Sequence, residues 1–461
     1  MVITPTSTTQ AQIGFPSTWA ATDPNDLTGY LLNRFMQVTA QQFANDPDGL
    51  YAMFGVASGV EWKGARGEFA VYPRRDQSFF IGQDNGAIHE GSHAEPVTSR
   101  FDGVVMGGAM SLSDGIVYQA GGRMTETVPL IATKMTRLRE DAIENLNREL
   151  FLDGRGVLAE VSSISTGVVT LPTGDSNQYV YRDQPLQVIA SDYTTLRGGG
   201  ASYWVVGLGE TTPTISLSGS KGGTAGDGFA EPIQAGDFLI RRGAYDAAKG
   251  STARNSLIGL DAIVDDGDQI INFQSISRTK YPEWSAFKLT AAGSGTGPLT
   301  TLLLHQLLKG RRRKGRGSRT SGLTFITSDA VSTTYSQIFQ PAVMVGEGGR
   351  LVGGFESLTF QSGAAGSLEI LENDACQPDR IYVLDKSSIK YAQRKPLGFR
   401  PPNLSERWQS AGSGVFIADP DHLRYSAVMT MHGQLIATRC NSNAVLDNID
   451  VGSARQFHPL P

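Results

Sequence analysis

The sequence predicts a mixed α+β chain in which many short strands surround one long helix, and three observations predict it. One strongly amphipathic segment runs over residues 127–152. Short apolar runs broken by glycine, proline and Asp-Asn-Gly fill residues 61–120 and 160–290. Beyond residue 290, helical and strand-like patterns alternate.

Residues 1–22 are polar, rich in Thr, Ser and Gln, and read as an extended arm. A short amphipathic helix is predicted from Asp23-Pro24, with Leu27, Leu31, Phe35 and Val38 on one face and an end before Asp46-Pro47. Residues 61–120 read as a long irregular β-hairpin with too few apolar side chains for a core of its own. Such an excursion needs a neighbouring molecule to lie on.

The long helix has Pro129 in its predicted first turn and Gly154 just past its end, the usual polarity of start and stop signals. Ile131, Met135, Leu138, Ala142, Leu146 and Leu150 recur every three or four residues as one apolar stripe. Glu144 and Arg148 are expected to pair on the outer face. A helix of this length is roughly 35–40 Å long, enough for the spine of an elongated subunit.

Residues 160–290 carry STGVVTLP, QPLQVIAS, YWVVGL, DFLIRRG and QIINFQSISR between glycine turns, which predicts an inserted β-domain. Helices are predicted at 298–310 and 328–339, with strands at GLTFIT, DRIYVLD and IKYAQ. From His422 onward apolar and polar residues alternate as in long strands.

Composition narrows the function. Hydrophobic residues make up 40% and charged residues 18%, which suits packed cores and not a disordered chain. A net charge of −5 disfavours a dedicated sequence-specific reader of nucleic acid. Two cysteines, Cys376 and Cys440, exclude a disulfide framework and a Cys-rich zinc module, and fit folding in a reducing cytoplasm. The first residues lack a signal-peptide pattern, and no run approaches the ~18 apolar residues of a membrane span.

Two motifs imitate catalytic signatures. Residues 89–93, HEGSH, match the zinc-protease pattern, but that chemistry needs a helix to point two histidines one way. Gly86, Gly91, Ser92 and Pro96 make a loop there instead. Gly310 to Gly317 has the frame of a phosphate-binding loop without its lysine and hydroxyl, and it follows a helix where a strand is required. No catalytic residue, metal or cofactor is expected. The same segment, KGRRRKGRGSR (309–319), is the densest positive charge in the chain. Arg311, Arg312, Arg313, Lys314, Arg316 and Arg319 are candidates for non-specific contact with DNA phosphates, or for a loop paired with neighbouring acids at a symmetry axis.

Several segments resemble the major capsid fold of tailed bacteriophages, which encapsulins share. They are E-G-S-H-A-E-P at 90–96, the helix end Glu149 to Gly156, LTFITSDAVSTTY at Leu323 to Tyr335, DRIYVLDKSSIK at Asp379 to Lys390, and the strands from His422 to Ile449 with the G-Q-L-x-A step at Gly433. The segments from Glu149 to Ile449 span about two thirds of the chain in the family's order. The resemblance implies an N-terminal arm and short helix over 1–60, an E-loop over 61–120 and a P-domain spine helix over 121–159. A β-rich insertion follows over 160–290, then an A-domain over 291–400 and closing strands over 401–461. The insertion departs from the minimal fold.

The resemblance implies a subunit that assembles with itself into hexamers and pentamers of an icosahedral head around double-stranded DNA. It would form in the host bacterial cytoplasm and end in the virion, away from membranes. Arg74, Arg75, Glu90 and Glu95 are candidates for ion pairs between subunits, each worth only about 0–1 kcal/mol if exposed. A relative cross-links its subunits through an E-loop lysine; here no lysine lies between Lys63 and Lys134, so a noncovalent shell is expected. Only 22 residues precede the first predicted helix, so a scaffolding protein is expected to be separate, alongside a portal and room for a decoration protein. The alternatives are an encapsulin shell, disfavoured by the insertion, and a β-rich tail or receptor-binding protein. The latter would need a strand repeat and a carboxylate pair, and the sequence shows neither.

Overall fold

A computed structural model of the chain describes residues 53–74, 95–113, 124–172, 177–209, 212–229, 233–245, 256–293, 295–315, 322–343, 359–362, 366–399, 417–419 and 424–452. The arm, the helix predicted from Asp23-Pro24 and the HEGSH stretch lie outside the described residues.

The first strands are β1 (Glu61–Lys63), β2 (Arg66–Val71), β3 (Val97–Asp102) and β4 (Val104–Ser113), followed by the long helix α1 (Met124–Glu149). Next come β5 (Val157–Glu160), β6 (Ser163–Ser165), β7 (Val168–Thr170), β8 (Pro185–Ile189), β9 (Tyr203–Leu208), β10 (Thr214–Ser218) and β11 (Phe238–Arg241). The middle of the chain holds α2 (Leu260–Val264), β12 (Asn272–Phe273), β13 (Ile276–Ser277), β14 (Phe287–Thr290), β15 (Gly297–Pro298) and α3 (Thr301–Lys314). After them run β16 (Leu323–Thr327), α4 (Asp329–Val343), β17 (Thr359–Ser362), β18 (Gly366–Glu372) and β19 (Ile381–Asp385). The last strands are β20 (Ile389–Phe399), β21 (Ile417–Asp419), β22 (Arg424–Ala437), β23 (Ala444–Asp447) and β24 (Ile449–Asp450). The architecture is mixed α+β, with few helices and many strands.

Two compact units divide the chain. Of the described residues, one comprises 103–113, 124–146, 393–399, 417–419 and 424–433, and the other comprises the rest. In the first unit β4 and β22 pair antiparallel over ten positions, from Arg424↔Ser113 to Gly433↔Val104. Gly108 brings α1 close to β4, because a Cβ there would lie 2.4 Å from the Leu138 side chain. Lys134 anchors the same helix by donating to the Ser111 carbonyl at 2.7 Å.

The second unit holds two larger sheets. Seven strands lie in the order β5-β11-β8-β9-β10-β7-β6. Val169, Leu186, Val188, Val205, Ile215 and Leu239 are fully buried in this sheet. Six strands form the other sheet, in the order β14-β23-β19-β16-β18-β17. Its central strands β16 and β19 are buried at every position, as suits the mostly apolar runs LTFIT and IYVLD. Leu304, Leu307 and Leu308 of α3 and Ala330, Val331 and Tyr335 of α4 pack with Phe325, Val383 and Leu446 in one core. On the sheet, Tyr382 meets Phe151 at a ring distance of 5.7 Å.

Four sequence expectations change. The helix α1 lies about a turn earlier than 127–152, so Pro129 sits in its second turn. Arg148 is buried and not on the outer face, its guanidinium 6.0 Å from the Tyr181 ring. Phe287–Thr290, read with the β-rich insertion, instead pairs parallel with β23 in the six-stranded sheet. Finally, α3 continues to Lys314 where a stop was expected at Gly310. A Cβ at Gly310 would lie 2.2 Å from the Phe287 ring, so this glycine lets the helix cross β14 closely.

Candidate functional site

The hairpin is the first candidate. β2 and β3 pair antiparallel from Arg66↔Asp102 to Val71↔Val97, and β1 adds a third strand through Glu61↔Glu68. Alternation puts Phe69 and Phe101 among Trp62, Val60, Ala392 and Ile436, where Phe101 is 4% exposed. Trp62 meets the Phe101 ring edge-on at 5.4 Å. The sequence reading left residues 61–120 without support from their own chain; the hairpin base has that support in this aromatic cluster and in the Arg100 amide, which donates to the Gln274 carbonyl at 3.0 Å. Residues 75–94, beyond it, lie outside the described residues.

Charges on the hairpin form a ladder that the sequence reading missed. Lys63 donates to Glu68 at 2.7 Å, Arg100 pairs with the same carboxylate at 3.1 Å, and Arg66 pairs with Asp102 at 3.3 Å. The hydrogen bond and charge of Lys63 hold the Glu68 carboxyl below its ordinary range, and Glu68 in turn raises Lys63. The signal was present as charges at alternate positions, Arg66 with Glu68 and Arg100 with Asp102.

Arg74 is held by its own chain: it donates to the Lys280 carbonyl at 3.3 Å and lies 5.0 Å from the Tyr281 ring centre. Glu95 is exposed just before β3. Arg75 and Glu90 lie outside the described residues.

The basic segment is the second candidate, and the structure splits it. Arg311 is 1% exposed, on the same face of α3 as Leu304, Leu307 and Leu308, and donates to the Ser442 carbonyl. Burial pushes its pKa down to about 10. Lys314 turns inward to the Ala286 carbonyl at 2.7 Å, and burial lowers its pKa as well. Arg311 therefore cannot meet DNA without leaving the protein, which corrects its place in a phosphate-contacting segment, while half-buried Lys314 is held by a carbonyl of its own chain. Lys309, Arg312 and Arg313 are exposed. Arg316 and Arg319 lie outside the described residues.

A polar cleft of about 450 Å³ separates the β5 edge from the six-stranded sheet. Three ion pairs line it: Asp153 with Arg155, Asp261 with Arg380 at 2.8 Å, and Asp447 with Lys288 at 3.0 Å. Tyr382 also donates to Asp261, at 2.6 Å. Among the described residues no three histidine, cysteine or acidic side chains converge as metal ligands. No described helix is long and apolar enough to cross a membrane.

No protein-family model and no curated protein matches the chain. Solved structures similar to it include phage capsids, the capsid of a GTA particle and an encapsulin complex. The cyanophage A-1(L) capsid asymmetric unit is 13% identical, with 85% of this chain and 90% of that chain covered and a TM-score of 0.47. The capsid of the native GTA particle is 8% identical, with 87% and 90% covered and a TM-score of 0.42. The holo-SrpI encapsulin complex from Synechococcus elongatus is 14% identical over 38% of this chain and 56% of that chain, with a TM-score of 0.22.

Proposed function

We propose that the chain is a major capsid protein of the tailed-phage type, a structural subunit that assembles noncovalently with copies of itself. The order of the elements carries this reading. A hairpin, a 26-residue helix, a β-rich insertion, a mixed sheet with two helices and a 14-residue closing strand follow one another as the sequence resemblance implies. On this reading the hairpin is the E-loop, α1 the spine of the P-domain and the six-stranded sheet the A-domain. The segment beyond the hairpin base lies on a neighbouring subunit, where Arg75, Glu90 and Glu95 supply contacts across the interface. Arg74, held on Tyr281, fixes where that segment leaves the body.

Many modest contacts repeated around closed rings stabilise such a particle without any single strong one. The subunits would form hexamers and pentamers around double-stranded DNA in the virion. Scaffolding protein and portal are separate partners, and the outer surface leaves room for a decoration protein. Electron microscopy of the expressed full-length chain tests the reading. Isometric shells are expected, and DNA inside particles from infected cells separates a phage head from an enzyme-holding compartment. A stable monomer at high concentration, with residues 75–94 protected from protease, overturns it.

A further inference from the structure

The most exposed positive charge in α3 is arranged by helix phase. Leu304, Leu307, Leu308 and Arg311 face inward, and Lys309, Arg312 and Arg313 face outward. Positions 312 and 313 lie three and four residues after 309 and flank it on one side of the helix, with Lys309 roughly 4.5–6 Å along the axis from the two arginines. Among the described residues no carboxylate pairs with any of these three, in a chain whose net charge is −5. The nearby inward cations, Arg311 and Lys314, are occupied by carbonyls. Three unpaired cations thus stand on a rigid element, not on a loop.

We infer that this outer face of α3, at Lys309, Arg312 and Arg313, is a sequence-independent contact for the phosphodiester backbone of nucleic acid. The inference rests on the shell reading, which supplies enclosed DNA as the polyanion. A protein partner fits less well. Interface centres favour aromatic residues and are depleted in lysine, whereas the exposed side of this helix has no aromatic residue and presents Leu302 and Gln306 beside its cations. Two adjacent arginine forks match phosphate oxygens, and a backbone contact needs no base-reading side chains. Arg311, though part of the same charge run, has no share in it.

The test uses the full-length chain kept unassembled and a short fluorescent DNA duplex of arbitrary sequence, with anisotropy followed across a potassium chloride series. Each phosphate neutralised contributes about 0.9 to the slope of log affinity against log salt. The triple substitution Lys309→Gln, Arg312→Gln and Arg313→Gln is expected to lower that slope by roughly 2 to 3 and to weaken low-salt binding at least about tenfold. Arg312→Lys with Arg313→Lys keeps the charges and should keep the slope. Circular dichroism confirms that each variant is folded. A slope unchanged by the triple substitution, or wild-type binding insensitive to salt, overturns the inference. So does a triple variant that binds DNA normally but no longer forms shells, since that marks the face as a contact with protein. Shell formation by the wild type is scored separately by microscopy. Shells without salt-dependent DNA binding sink this inference alone, and DNA binding without shells sinks the capsid reading.

Discussion

The six-stranded sheet and the three-stranded hairpin base are both built from short strands, yet they are held in opposite ways. In the sheet, β16, β19 and β23 are buried at every position, so both faces of each strand meet protein. In the hairpin, β2 and β3 alternate: one side packs Phe69 and Phe101 with Trp62, and the other carries Arg66, Glu68, Arg100 and Asp102. The sheet carries its own core. Among the described residues the hairpin base has one aromatic cluster, a hydrogen-bonded seam from Arg100 to the Gln274 carbonyl and a ladder of charge on its other side, so it is attached to the body without being enclosed by it. That difference assigns global stability to the sheet and leaves the hairpin a surface for something else.

The largest expected effect separates the two directly. Phe325→Ala removes a ring that is 2% exposed among Leu304, Val331 and Val383, and should destabilise the unassembled chain by about 3–5 kcal/mol. Denaturant titration measures it, and a loss below about 1 kcal/mol would show that the sheet is not the core. Phe101→Ala should act locally, by about 2–3 kcal/mol, because only part of its surroundings is deeply buried. Hydrogen exchange is expected to quicken in 66–71 and 97–102 while 323–327 and 381–385 stay protected. Equal loss in all four strands would merge the two regions into one cooperative unit.

What the sequence made legible follows the same division. Short, mostly apolar runs announced β16 and β19, and the three-to-four spacing announced α1, because both signals are local. The parallel pairing of Phe287–Thr290 with Ala444–Asp447 was not legible, since nothing local records a partner more than 150 residues away. The end of α3 was misread because Gly310 looked like a terminator, and its reason for being there is the Phe287 ring beneath it. Yet the stripe Leu304, Leu307, Leu308 and Arg311 keeps helical spacing, so the inward turn of one arginine was written in the chain. The charge run was visible; which of its members face water depended on the phase of a helix that was expected to stop.

Cys440 extends the comparison to alkaline pH. It is fully buried in the turn before β23, and burial pushes its thiol up to about 11 from an ordinary value of 9.0. The unfolded chain therefore loses this proton first. Stability is full below pH 9, falls as pH rises toward 11, and the loss is on the order of 2 kcal/mol. Cys440→Ala should remove only its share of that fall, because burial pushes the Cys376 thiol up as well, and neither cysteine should react with a thiol reagent at neutral pH in the native chain. Rapid labelling of Cys440 would mean that this turn opens as readily as a surface loop.

The smallest effect is expected at Glu68, where both cations come from exposed side chains. Water and salt screen such pairs, and holding Lys63 and Arg100 in place restricts long, mobile stems. Glu68→Gln should leave the melting temperature of the unassembled chain unchanged, and added salt should make no difference between variant and wild type. If the ladder instead helps seat the hairpin on a neighbouring subunit, the same substitution lowers the yield of shells seen by microscopy while the isolated chain melts as before. A substitution that lowers both together would place the ladder with the sheet, as part of what holds one subunit folded.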